Sequence, residues 1–238
     1  MKTFITVCCL LLTFCHSAFA MIGISDQMIG GAQEYGRSKI ASPVNELQKP
    51  WTVYEALKEN IYADTERVII YTPYLIVAMD AQNKAKAFEE IKLEDSRNLA
   101  SGYEQALVIG AIIDAPEKIT PDNLQVAILQ GDKNLLPYYS ELVTSSSTEK
   151  VIEKTAAQDT SNNGVKPVED KMPVPSDKEK TEQAALTDKI NIKMPVWNMQ
   201  YYFYFDVSQI NTTLPMILKI DDRLAGEREF RFHLGNMN

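Results

Sequence analysis

The chain has little cysteine, little histidine and a deficit of positive charge, and each shortage removes a class of function. Its three cysteines, Cys8, Cys9 and Cys15, all lie at the extreme N-terminus. The body of the protein therefore has no thiol nucleophile, no disulfide framework and no cysteine set for zinc. Histidine occurs twice, as His16 and His233. A Ser-His-Asp or Cys-His arrangement would have to use His233, and no nucleophile motif accompanies it. Gly30-Gly31 is followed by no lysine, so it is not a phosphate loop, and no Asp-x-Asp-x-Asp-Gly calcium loop occurs. Twenty-four Lys and Arg stand against 32 Asp and Glu, a net charge of −8. That balance speaks against nucleic acid and against adsorption to anionic lipid. No metal and no cofactor are expected.

The one long apolar run is N-terminal. Lys2 precedes Phe4 to Phe14, and Ala18-Phe19-Ala20 has the small-x-small form of a signal-peptidase site. The run is too short to span a bilayer and polar sequence follows at once. Phe14 fits poorly before a lipidated Cys15. Residues 1–20 are therefore expected to be a signal peptide cleaved near Ala20, leaving no transmembrane segment. The product is periplasmic, secreted or at the cell surface.

The rest is organised around Arg67 to Phe88. Val68-Ile69-Ile70-Tyr71 reads as a buried strand, and Thr72-Pro73 supplies an N-cap and first-turn proline for a helix. Tyr74, Ala78, Ala81, Ala85 and Phe88 then recur at helical spacing as an inward face, with Asp80, Gln82, Asn83, Lys84 and Lys86 outward. Residues 21–66 form an N-terminal helical or irregular segment. Ser25 can cap a helix there, and Gly30, Gly31 and Gly36 oblige that helix to lean on another surface. Ser42-Pro43 is a second helix start, ended by Pro50. A short helix is expected from Glu94 to Ala100.

Ala106–Ile113 reads as a buried strand, with Gly110 marking a bulge or a close approach. Leu124–Leu129 and Asn134–Leu142 read as a hairpin turned at Gln130-Gly131-Asp132-Lys133. Residues 143–189 have a serine run, three prolines and no aromatic residue, and are expected to be a disordered polar insertion. Residues 190–238 return to strand, in Gln200–Val207, Pro215–Ile220 and Glu227–Leu234, each alternating apolar with polar. The resulting class is mainly β with helical elaboration. It is an immunoglobulin-like antiparallel sandwich of about seven strands, its halves at 67–142 and 190–238.

Pro50-Trp51-Thr52-Val53-Tyr54-Glu55, Tyr71-Thr72-Pro73-Tyr74-Leu75 with Asp80-Ala81, and Tyr202-Phe203-Tyr204-Phe205 resemble motifs in a group of uncharacterised exported bacterial proteins. The resemblance spans most of the chain outside the insertion. It implies a bacterial envelope or secreted setting and brings no activity with it.

Candidate chemistry reduces to carboxylates and aromatics. Glu89-Glu90, Glu94-Asp95, Asp221-Asp222 and Glu227 with Glu229 are scattered acids of the kind that solvate turns. An enzyme would show as a convergence, for instance of Asp80, Asp95 and Asp206. The aromatics give the recognition candidates: Trp197, Tyr202 and Tyr204, the two tyrosines pointing away from the face that holds Phe203 and Phe205. Covering helices would instead make those tyrosines core. The expected function is an exported, non-catalytic β-sandwich module that binds or scaffolds an envelope protein, peptide or glycan. The alternative is a carboxylate-dependent hydrolase of envelope polymers.

Overall fold

The computed structural model describes residues 24–56, 66–155 and 189–237. The expected signal peptide, residues 57–65 of the expected N-terminal segment and residues 156–188 of the expected insertion lie outside them. The chain divides into two compact units, Met1–Thr148 with Val196–Asn238, and Glu149–Pro195.

The described residues are mainly antiparallel β, with nine strands in two sheets and a few helices. The five-stranded sheet has the order β1 (Thr52–Tyr54), β2 (Arg67–Tyr71), β3 (Ala106–Ala115), β7 (Lys189–Asp206) and β6 (Tyr139–Thr155). The four-stranded sheet has the order β5 (Lys133–Leu135), β4 (Gln125–Gln130), β8 (Met216–Asp221) and β9 (Glu227–Phe232). The two strands beyond the expected seven are the short edge β1 and β6, which is separate from β5 where the sequence reads one hairpin return.

Alternation assigns the faces. In the larger sheet Val68, Ile70, Leu107, Ile109, Ala111, Ile113, Met199, Tyr201, Phe203 and Phe205 share one side, and all are buried. The smaller sheet turns Val126, Ile128, Met216, Leu218, Ile220, Phe230 and Phe232 inward. These residues belong to one apolar cluster. A backbone bond from Ala56 N to Glu229 O, at 2.8 Å, ties the end of β1 to β9.

Helices lie on the other side of the larger sheet, which is why β3 is buried on both of its faces. They are α1 (Asp26–Ser38), α2 (Val44–Gln48), α3 (Pro73–Lys86) and α4 (Leu93–Ser101). Ser25 caps α1 and Thr72 caps α3, each side-chain oxygen accepting a backbone N–H, as the sequence predicts. Tyr35, Trp51 and Tyr74 pack ring on ring, Trp51 and Tyr74 nearly parallel with centroids 5.8 Å apart.

Four expectations change. The inward face of α3 is Leu75, Val77, Ala78, Ala81 and Gln82; Phe88 lies past the helix end and is 95% exposed. Gln82, expected outward, is buried because its amide donates to the carbonyls of Lys39 and Ser42 at 2.6 and 3.0 Å. The hairpin partner of β4 stops at Leu135. Pro137 has no N–H to continue a ladder, and from Tyr139 the chain belongs to the other sheet as β6. β6 then continues as strand through 143–155, residues expected to be disordered.

The second unit, by itself, comprises the outer lengths of β6 and β7, where Lys193 Nζ lies 3.7 Å from Glu149 Oε2. Among the described residues no helix is long and apolar enough to cross a membrane.

Candidate functional site

Strand register places the three aromatic candidates. Tyr202 is opposite Gly110, Tyr204 is opposite Val108, and Trp197 is opposite Ala115 at the far end of β3. Even-numbered side chains of β7 point to the helix-bearing side and odd-numbered ones to the other sheet. The structure therefore brings Tyr202 and Tyr204 together and leaves Trp197 on the opposite face. Both tyrosines are half-buried. Tyr202 meets Tyr71 edge-to-face at 5.4 Å, and the two rings close over Gly110. The bulge or close backbone approach expected at this glycine is instead a close approach of two side-chain rings.

Tyr204 carries two rings that sequence reasoning missed. Tyr139 packs on it at 5.4 Å and Tyr138 at 6.4 Å. Its hydroxyl donates to Glu141 Oε1 at 3.0 Å. Burial, and then that bond to a carboxylate, push the phenol up to about 12. Tyr138 and Tyr139 themselves are 64% and 53% exposed. The signal for them was Pro137-Tyr138-Tyr139, a proline followed by two aromatics where the chain changes sheets. Read as one returning strand, the stretch concealed it.

Beside Tyr138 runs an open groove of about 640 Å³, walled by Glu104, Gln105, Tyr138, Asp206, Val207, Ser208 and Gln209. Its best-fixed group is the Asp206 carboxylate, which caps the short 3₁₀ turn Val207–Gln209. Oδ1 accepts from Ser208 N and Oγ at 2.9 and 2.7 Å, and Oδ2 from the Gln209 amide at 3.2 Å. These bonds hold the carboxyl below its ordinary range. Glu104 and Val207 also wall a cavity of about 30 Å³, lined chiefly by apolar groups of Tyr71, Tyr103, Leu107, Ile210 and Leu234.

The acids do not converge on that groove. Asp80 and Asp95 share Lys84, at 3.0 and 3.9 Å, whereas Asp206 serves its own turn. A different carboxylate group, unanticipated from sequence, surrounds Arg228. Its fully buried guanidinium donates to Glu66 Oε1 at 2.7 Å, Asp222 Oδ2 at 2.8 Å and the Asp114 carbonyl at 2.9 Å. Glu66 Oε1 also accepts from Asp114 N at 2.9 Å. Burial, followed by a hydrogen bond with Glu66 and its charge, pushes Glu55 up to about 8. Arg228 falls in a strand whose neighbouring charges alternate outward, so alternation alone places it inside; its partners lie far away in sequence.

His233 is occupied locally, Nδ1 accepting from Gly235 N at 3.1 Å and Nε2 lying 3.0 Å from the Thr213 carbonyl. Among the described residues no group of three or more His, Cys, Asp or Glu side chains is placed to hold a metal ion. No protein-family model matches the chain, and comparison with curated proteins and with solved structures finds no match.

Proposed function

We propose that this chain is an exported, non-catalytic binding module of the bacterial envelope. Its contact surface is Tyr138 and Tyr139 standing on Tyr204, with the groove beside Asp206. The observation that carries the reading is the tyrosine ladder. Two mostly exposed rings rest on a third that is itself fixed by Glu141, so contact area is offered with little side-chain freedom left to lose. Tyr202 lies on the same face of β7 as Tyr204 and packs on Tyr71, and Trp197 is on the opposite face. The finer likeness to an immunoglobulin-like sandwich belongs to the same proposal; it is supported by two antiparallel sheets that share an apolar layer without a disulfide.

The experiment is retention of the purified protein on peptidoglycan sacculi and on arrayed envelope polysaccharides and peptides. Tyr138→Ser with Tyr139→Ser should leave thermal unfolding nearly unchanged and weaken retention at least tenfold. Undiminished retention would remove the ladder from the contact surface.

A second reading, a carboxylate-dependent hydrolase, is favoured by the raised Glu55 beside the Glu66 side chain. Against it, Glu66 is buried beneath the surface and tied to both Arg228 and the Asp114 amide. A base so engaged has little freedom to activate water. Release of soluble fragments from sacculi, lost in Glu55→Gln, would favour this second reading.

A further inference from the structure

We propose that the groove beside Tyr138 is a subsite for an N-acetylated amino sugar, with the pyranose ring in the groove and the acetyl methyl in the adjoining small cavity. The inference rests on the binding-module reading and gives its ligand a chemical class.

Charge narrows the choice first. Among the described residues, the titratable side chains lining the groove are Glu104, Asp206 and the Tyr138 phenol, and none is a lysine, arginine or histidine. A phosphate, sulfate or carboxylate would meet two acids and no cation, so an anionic ligand is disfavoured. The groove is rich in acceptors: two carboxylates, two glutamine amide oxygens and the Ser208 hydroxyl. Such a set suits a ligand that presents several O–H and N–H donors.

Geometry narrows it further. Asp206 is held by three hydrogen bonds from its own turn; Oδ1 already accepts two, whereas Oδ2 accepts one and has a lone pair left for a ligand. A sugar hydroxyl would therefore meet an acceptor already oriented. The Tyr138 ring offers a broad apolar face beside those acceptors, and a pyranose carries C–H groups on one face and hydroxyls at its rim.

The cavity supplies the last element. It shares Glu104 and Val207 with the groove, is lined mainly by apolar groups, and at about 30 Å³ takes one small apolar group. A plain hexose has nothing to put there. An acetamido substituent has a methyl of suitable size, and its N–H would have Glu104 at the junction as an acceptor. A lysine- or arginine-bearing peptide would satisfy the acids but would bring its charge to the mouth of an apolar cavity.

The experiment is calorimetric titration of the full chain with three probes. They are the β-1,4-linked tetramer of N-acetylglucosamine, its fully de-N-acetylated counterpart, and cellotetraose. The N-acetylated tetramer should bind at least tenfold more tightly than either comparator; burying one methyl contributes roughly fourfold of this, and the acetamide hydrogen bond the remainder. Tyr138→Ala, whose ring is mostly exposed, should melt as the parent does and bind at least tenfold more weakly. Glu104→Gln should narrow the gap between the acetylated tetramer and cellotetraose. Equal affinity for the three, preference for the amine, or no binding at millimolar concentration would each overturn the inference. If the sugars fail while sacculi or peptides are retained in a Tyr138- and Tyr139-dependent manner, the binding module stands without its sugar. Failure of every probe would remove both.

Discussion

Arg228 is among the largest fully buried side chains, and it lies inside an otherwise apolar interface between the sheets. Taking a guanidinium and two carboxylates out of water is unfavourable, and the cluster persists because each of the three guanidinium nitrogens has an oxygen in reach. Arg228→Met would leave Glu66 and Asp222 buried without their counter-charge. It should lower stability by about 3–5 kcal/mol in a urea titration. A loss under about 1 kcal/mol would mean that the carboxylates find water or protonate. Glu55 adds a proton to the same cluster. Its folded value, about 8, lies above its ordinary 4.5, so between those limits the folded state holds a proton that the unfolded chain releases. The contribution of this group is therefore fully present below about pH 4.5 and is lost as pH rises through about 8. Glu55→Gln keeps a donor toward Glu66 without the titration, and the fall in melting temperature across that window should flatten. Parallel curves for parent and variant would sink this assignment.

Phe88 shows residue-scale strain of another kind. It occupies the left-handed region at φ 58° after the end of α3, with its ring almost wholly in solvent. A side chain in that conformation is unfavourable by about 1–2 kcal/mol, and no burial offsets it. Phe88→Gly should therefore raise stability by up to about 1 kcal/mol after the added freedom of the unfolded chain is deducted. A drop in melting temperature would show that the ring contributes to the fold.

Among the elements, local signals were the most legible. The Thr72-Pro73 start of α3, the Ser25 cap of α1 and the alternation of β7, β8 and β9 appear where sequence places them, because each is set by residues within one turn or one strand. Long-range partners were not legible. Nothing near Gln82 announces the carbonyls of Lys39 and Ser42, and nothing near Tyr204 announces Tyr138, Tyr139 and Glu141. The candidate site was half-readable for the same reason: alternation pairs Tyr202 with Tyr204, whereas the ring ladder depends on a strand changing sheets at Pro137. The α1 glycines illustrate the same division. A methyl at Gly30 meets nothing within 4 Å, whereas one at Gly36 would overlap the Ala78 carbonyl where α1 crosses α3. Gly30→Ala should stabilise by about 1 kcal/mol, the helix-propensity gain alone. Gly36→Ala should destabilise by about 1–3 kcal/mol, because backbone must move. Equal effects at the two sites would mean that α1 is not seated on α3.

For the molecule as a whole, one apolar core is built from segments distant in sequence. β3 pairs with β2 on one side and with β7 on the other, and β4 pairs with β8. The core cluster draws on both halves of the first unit, and no described residue of 149–195 belongs to it. β6 and β7, which bracket residues 156–188, are hydrogen-bonded neighbours in the five-stranded sheet. Any chain that joins those two neighbours carries the entropy of closing a loop. That entropy changes slowly with length, so exchanging residues 156–188 for a turn of about five residues should stabilise the protein by roughly 1–2 kcal/mol. The shortened chain should keep the near-ultraviolet dichroism of its packed tyrosines and melt at the same temperature or a few degrees higher. A lower melting temperature with an unchanged denaturant slope would show that residues 156–188 make stabilising contacts with the folded chain. A changed slope would mean that the area buried on folding, and with it the boundary of the core, differs from the one described.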